Sequence, residues 1–207
     1  MEEKVKNLGT PRIFTTHLRP RFLPECIKTK DIKVIHVFRN PKDIYLSWFK
    51  LTTNLVLEEI SFQGSWEEFF ELQLAGEYGY GSWFDYVQEW NTFIQDNPDK
   101  VFLAQFELMR ENPKEVFKCL CRFLDKSEEL ANMVADASCF DAMKIGTEEK
   151  KKYENETVQN GSLSMVTGKI SSWKRKFTVE QSERFNQFFK DYFKGSSVFV
   201  DGVQPYL

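Results

Sequence analysis

The stretch that most narrows what this chain can fold into is residues 33–41, KVIHVFRNP. Val34, Ile35, Val37 and Phe38 put β-branched and aromatic side chains on both sides of a short run, the pattern of a parallel-sheet strand covered on both faces. The run ends abruptly. Asn40 is a strong helix N-cap and Pro41 suits the first helical position, so the strand turns directly into a helix. Residues 101–106 (VFLAQF) read as a second strand of this kind, and Asn112 with Pro113 repeats the cap-and-proline device.

Helical signals fill the intervals. Val116, Phe117, Leu120, Phe123 and Leu124 form an apolar stripe that a sheet or another helix must cover. Ser65 with Glu68, and Thr178 with Gln181, have capping-box spacing, and the second box opens a helix striped by Phe185, Phe188, Phe189, Tyr192 and Phe193. Buried strands interleaved with such helices predict an α/β fold, although two strands are few for a sheet of that class.

The chain has 207 residues, of which 42% are hydrophobic and 15% aromatic, enough for one sizeable core and a single domain over 1–207. A net charge of −3 offers no basic field for nucleic acid. No run approaches the ~18 apolar residues of a membrane span, and the first ten residues have no signal-peptide pattern, so a cytoplasmic protein is expected. Cys26, Cys119, Cys121 and Cys139 form no C-x-x-C pair and are read as reduced, mostly buried thiols. The charge run at 148–152 reads as a solvated loop or helix end.

Chemistry concentrates at a few positions. Arg39 ends the first strand where the N–H groups of the next helix emerge, a place suited to an anion, and Ser47 lies two turns along that helix on the face of Asp43 and Ile44. Alternatively Arg39 pairs with Asp43 and Ser47 is an ordinary helix residue; spacing alone favours this reading. His17, between Ile13–Phe14 and the turn at Arg19 and Pro20, would stand at the end of a short strand. A histidine's ordinary pKa of about 6.5 suits a general base there. His36, inside the apolar strand, reads as a satisfied core residue. Two histidines without an acidic cluster predict no metal site. The aromatic segment 78–90 would either line a pocket for a flat apolar ligand or begin a helix packed into the core.

Taken as an ordered set, PRIFTTHL, KVIHVFRNPKDIYLSWF, GSWFDYVQEW and FELMRENP resemble the blocks of the cytosolic sulfotransferases, from about Thr10 to near Phe193. The resemblance implies a sulfotransferase-type, P-loop-like fold with a parallel sheet flanked by helices. It also implies a co-substrate, 3′-phosphoadenosine-5′-phosphosulfate, and a small phenol, steroid or amine as acceptor. By the same resemblance Arg39 and Ser47 hold the 3′-phosphate and His17 takes the acceptor's proton. Ser138, Phe140 and Met143 match the adenine-side block, Phe106 takes the place of a family tyrosine, and Gly168 is the remaining member of an Arg-Lys-Gly donor motif. Lys174, Thr178, Val179 and Glu183 reproduce the pattern through which these enzymes dimerise.

The chain also departs from the family. The family's first strand and its Tyr-Pro-Lys-x-Gly-Thr-Thr phosphate loop have no counterpart in these residues, Val166 and Thr167 replace the arginine and lysine of the donor motif, and Thr15 stands where a lysine is common. A hydrogen bond to a charged group is worth roughly 1.5–3 kcal/mol, so these losses predict weakened donor binding. The function implied is therefore sulfonate transfer at family level. The alternative is a non-catalytic protein that dimerises with a full-length relative.

Overall fold

In a computed structural model, residues 11–54, 61–139, 141–142, 168–194 and 198–207 are described. Two strands, β1 (Val34–Phe38) and β2 (Val101–Gln105), pair in parallel, with register from Val34↔Val101 to Phe38↔Gln105. Around them run α1 (Cys26–Thr29), α2 (Pro41–Thr53), α3 (Trp66–Ala75), α4 (Trp83–Asp96), α5 (Phe106–Glu111), α6 (Pro113–Phe123), α7 (Leu130–Ala137), α8 (Val179–Tyr192) and α9 (Val198–Val203). Short 3-10 turns occupy Pro20–Phe22, Ser172–Arg175 and Gln204–Tyr206. The α/β class, the parallel pairing and both strand positions agree with the sequence reading, except that Phe106 begins α5 rather than ending β2.

Local chemistry explains most boundaries. Both capping boxes are formed, Ser65 with Glu68 opening α3 and Thr178 with Gln181 opening α8. Gly76 closes α3 at φ +73°, a conformation that penalises a Cβ, and any Cβ there would also meet Ser82 at 2.8 Å. Asn112 precedes α6 but makes no side-chain cap, so only the proline half of the expected device operates there.

The core forms where α4 meets α8. Phe84, Val87, Trp90 and Phe93 lie at three-residue spacing and are all buried. Phe84 is surrounded by Phe185, Phe188, Phe189, Tyr192 and Phe193, all with ring centroids within 6.4 Å. Each such ring contributes roughly 1.5–3 kcal/mol by leaving water. The segment 78–90 is therefore mainly core, although Tyr80 is 62% exposed.

Three expectations are corrected. β1 is covered on one face only: His36 and Phe38 are buried, whereas Ile35 and Val37 are 45% and 59% exposed. The sequence's two-sided apolar pattern thus exceeds the burial achieved on β1; on the same face β2 is better covered, with Ala104 buried and Phe102 packed on Phe123. His36 is buried but not satisfied: it packs against Tyr86, Trp90 and Phe199, and neither ring nitrogen has a hydrogen-bond partner. Of the cysteines only Cys121 is buried; Cys26 is half-buried, and Cys119 and Cys139 are exposed. The charge run at 148–152 lies outside the described residues.

Candidate active site

The strand register builds the first part of the site. Because Phe38 is level with Gln105, the next residues, Arg39 and Phe106, emerge side by side at the carboxyl ends of the two strands. There the Arg39 guanidinium lies 4.2 Å from the centroid of the Phe106 ring, a cation–π contact. Arg39 Nη2 donates to the Lys169 carbonyl at 3.0 Å and lies 3.4 Å from Asp43 Oδ2. Lys169 follows Gly168, which takes φ +57°. Three segments distant in sequence thus converge on one guanidinium, whose Nε is a buried donor without a partner.

The ion pair with Asp43 is the alternative that spacing favoured, and it coexists with the convergence. Two of the N–H groups at the helix start are already engaged. Pro41 has no N–H, the Lys42 N–H is taken by Asn40 Oδ1 at 2.8 Å, and the Asn40 N–H donates to Glu107 Oε1 at 2.9 Å. The Asn40 and Lys42 N–H groups are therefore not among the free donors expected beside Arg39. The donors left on this stripe are Arg39 and the exposed hydroxyl residue Ser47, spaced i and i+8 around Asp43.

Sequence reasoning missed the residues beneath. Glu107 is fully buried and desolvation raises its carboxyl pKa, although the Asn40 N–H opposes this. Lys42, also fully buried, donates to Ser182 Oγ at 2.8 Å and lies 4.2 Å from the Trp173 ring; burial, and secondarily Lys174, bring its pKa down to about 8. Asn40 Nδ2 and Trp173 Nε1 both donate to the Tyr206 carbonyl, so the chain's last turn seals the start of α2. No sequence spacing announces these pairings.

His17 is exposed and lies in irregular backbone, not at the end of a strand as expected. Its ring is 5.4 Å from Tyr80, and Tyr80 is 5.7 Å from Trp48. Two residues on, Arg19 binds Glu89 at 3.0 Å and the Ser82 carbonyl at 3.3 Å, which fastens this segment to α4. Trp48 lies seven residues beyond Pro41, so α2 separates the His17 cluster from the Arg39 end by about 10 Å of helix rise.

Ser138 ends α7, its amide bonded to the Val134 carbonyl, and it shares no hydrogen bond with the Arg39 group among the described residues. Phe140 and Met143 lie outside the described residues, as do Val166 and Thr167. Lys174, Thr178, Val179 and Glu183 are all exposed around the start of α8. No cluster of histidine, cysteine and acidic residues suited to a metal occurs among the described residues. Nor is any helix among them long and apolar enough to cross a membrane.

A parallel α/β sheet whose strand ends bring an arginine guanidinium over an aromatic ring defines the class of fold. Residues 2–197 match the Sulfotransferase domain family, and the chain belongs to that family. Sulfotransferase 1C2 of Homo sapiens is 30% identical over 201 residues, covering 95% of this chain and 66% of the relative. Sulfotransferase 1A1 of Mus musculus is 33% identical over 197 residues, covering 93% of this chain and 66% of the relative. The chain thus spans a little under two thirds of these relatives' length. The crystal structure of mouse sulfotransferase SULT7A1 complexed with PAP superposes with a TM-score of 0.82 at 26% identity, covering 99% of this chain and 73% of that one. A retinol dehydratase structure, at 20% identity and a TM-score of 0.79, shares the fold.

Proposed function

We propose that this chain binds the nucleotide of 3′-phosphoadenosine-5′-phosphosulfate and supports sulfonate transfer to a hydroxyl or amine of a small acceptor. The observation that carries this reading is the meeting of Arg39, Phe106 and the segment after Gly168 around a guanidinium with a buried, unpartnered Nε. The residues present fit a nucleotide phosphate. Arg39 and Ser47 hold the 3′-phosphate, Phe106 backs the guanidinium, Gly168 allows close backbone approach, and Ser138, Phe140 and Met143 belong to the adenine side. The bound donor supplies an activated sulfonate. His17 accepts the acceptor's proton as the acceptor oxygen forms its bond to sulfur, and the bond to the 5′-phosphate oxygen breaks. The exposed Tyr80 beside His17 offers a ring face against which a small acceptor can lie.

Calorimetric titration with 3′-phosphoadenosine-5′-phosphate tests the donor reading. The wild-type chain is expected to bind, and Arg39→Ala to weaken binding by about 10–100-fold, since a charge-assisted hydrogen bond is worth roughly 1.5–3 kcal/mol. A folded wild-type chain that shows no binding would leave only the non-catalytic alternative.

That alternative has an observation in its favour. Val179 is 76% exposed at the first position of α8, with Lys174, Thr178 and Glu183, also exposed, before and after it in the chain. An apolar side chain so placed, flanked by polar ones, suits a small self-complementary contact. Val179→Glu is expected to halve the mass seen by light scattering without lowering the melting temperature. An unchanged mass would remove this surface from the assembly.

A further inference from the structure

The side chain of Asp43 is fully buried, yet most of its bonds run to another segment's backbone. Oδ2 accepts the Ser171 N–H at 2.9 Å and Oδ1 accepts the Trp173 N–H at 2.9 Å, while Oδ2 also lies 3.4 Å from Arg39 Nη2. Ser171 takes φ +57°, one of two non-glycine residues among those described with positive φ. That conformation costs a Cβ-bearing residue roughly 1–2 kcal/mol and persists only where surrounding contacts hold it. Two residues earlier, the Lys169 carbonyl accepts from Arg39. Asp43 therefore braces a strained turn on one side and the guanidinium on the other, and the turn carries the Gly168–Lys169 segment against Arg39.

We infer that Asp43 is a positioning residue for the donor nucleotide: it holds Ser171 in its left-handed conformation, and so keeps the segment from Gly168 to Trp173 and the Arg39 guanidinium in one fixed arrangement. The inference rests on the donor reading above. Its sign separates it from simple electrostatics. Removing a carboxylate beside Arg39 raises the local positive potential and by itself tightens binding of an anion. Loss of positioning weakens it.

The test combines calorimetry with 3′-phosphoadenosine-5′-phosphate and amide hydrogen exchange. Asp43→Asn offers one acceptor oxygen where two N–H groups need one each. It is expected to weaken nucleotide binding at least about tenfold and to speed exchange at Ser171 and Trp173 while β1 and β2 stay protected. Adding Ser171→Gly, which makes the left-handed conformation free of Cβ strain, should recover part of the lost affinity. Ser171→Val, with Asp43 intact, is the independent arm, because a β-branched residue resists positive φ; it should weaken binding about tenfold as well. Tighter or unchanged binding in folded Asp43→Asn, no recovery by Ser171→Gly, or unchanged binding in Ser171→Val would overturn the inference. A wild-type chain that does not bind the nucleotide sinks the donor reading, and this inference with it. Wild-type binding with an unaffected Asp43→Asn sinks this inference alone.

Discussion

His17→Ala is expected to lower the rate of sulfonate transfer by about 10²–10⁴-fold, the usual contribution of a positioned general base, while leaving nucleotide affinity and melting temperature unchanged. The separation of these readouts follows from the structure. His17 is exposed, and truncating a surface residue typically changes stability by no more than about 0.5 kcal/mol. Its segment is fastened by Arg19 to Glu89 and the Ser82 carbonyl, not by the imidazole. The ring stands beside Tyr80, which in turn packs on Trp48, about 10 Å of helix rise along α2 from the Arg39 end. A change confined to the rate therefore points to chemistry, whereas a parallel loss of affinity would point to a collapsed segment. Turnover unaffected by the substitution would take His17 out of the mechanism.

The second large effect concerns stability at acid pH. Desolvation lowers the pKa of His36 from 6.5 to about 4, outweighing the opposing effect of its own backbone. The unfolded chain binds this proton below about pH 6.5, whereas the folded chain resists it until about pH 4. Stability from this group is thus complete above pH 6.5 and falls as the pH drops toward 4. The total is about 3 kcal/mol, from the displacement of the pKa at 1.36 kcal/mol per unit. That is a large share of a typical domain's stability. Urea unfolding at pH 7.5 and 4.5 is expected to show this loss in the wild type and its disappearance in His36→Phe, which keeps an aromatic ring against Trp90 and Phe199. Glu107, raised by burial, shifts stability in the opposite sense, and it cancels in the difference between the two proteins. Equal acid sensitivity in both would show that the imidazole is not held neutral.

Much of the fold was legible because it is written in short-range code. The strand run at 33–38, the Asn40–Pro41 turn and the two capping boxes each depend on residues within six positions, and each forms. The neighbourhood of Arg39 and Phe106 was not legible, because it depends on β1 and β2 lying side by side in register. The burial of β1 was not legible in the same way. Ile35 and Val37 are apolar, but whether an apolar residue is covered depends on what lies over it, which hydrophobicity does not encode. His36 illustrates the converse: a polar residue inside an apolar run was read as satisfied, and the packing of three aromatic rings left both its nitrogens without partners.

For the candidate site, residue types and order alone singled out Arg39, Ser47, His17 and Phe106, and placed the chain in its family, because each belongs to a contiguous block. Only the tertiary structure decided what those residues do to one another. It turned the Asn40 N–H toward Glu107 and the Lys42 N–H toward Asn40, set the Arg39 guanidinium between Phe106 and the Lys169 carbonyl, and gave Asp43 the amides of Ser171 and Trp173. Those contacts join residues up to 130 positions apart. A local pattern can specify a cap or a stripe, but the partner of a buried charge is chosen by the packing that removes every alternative, including water.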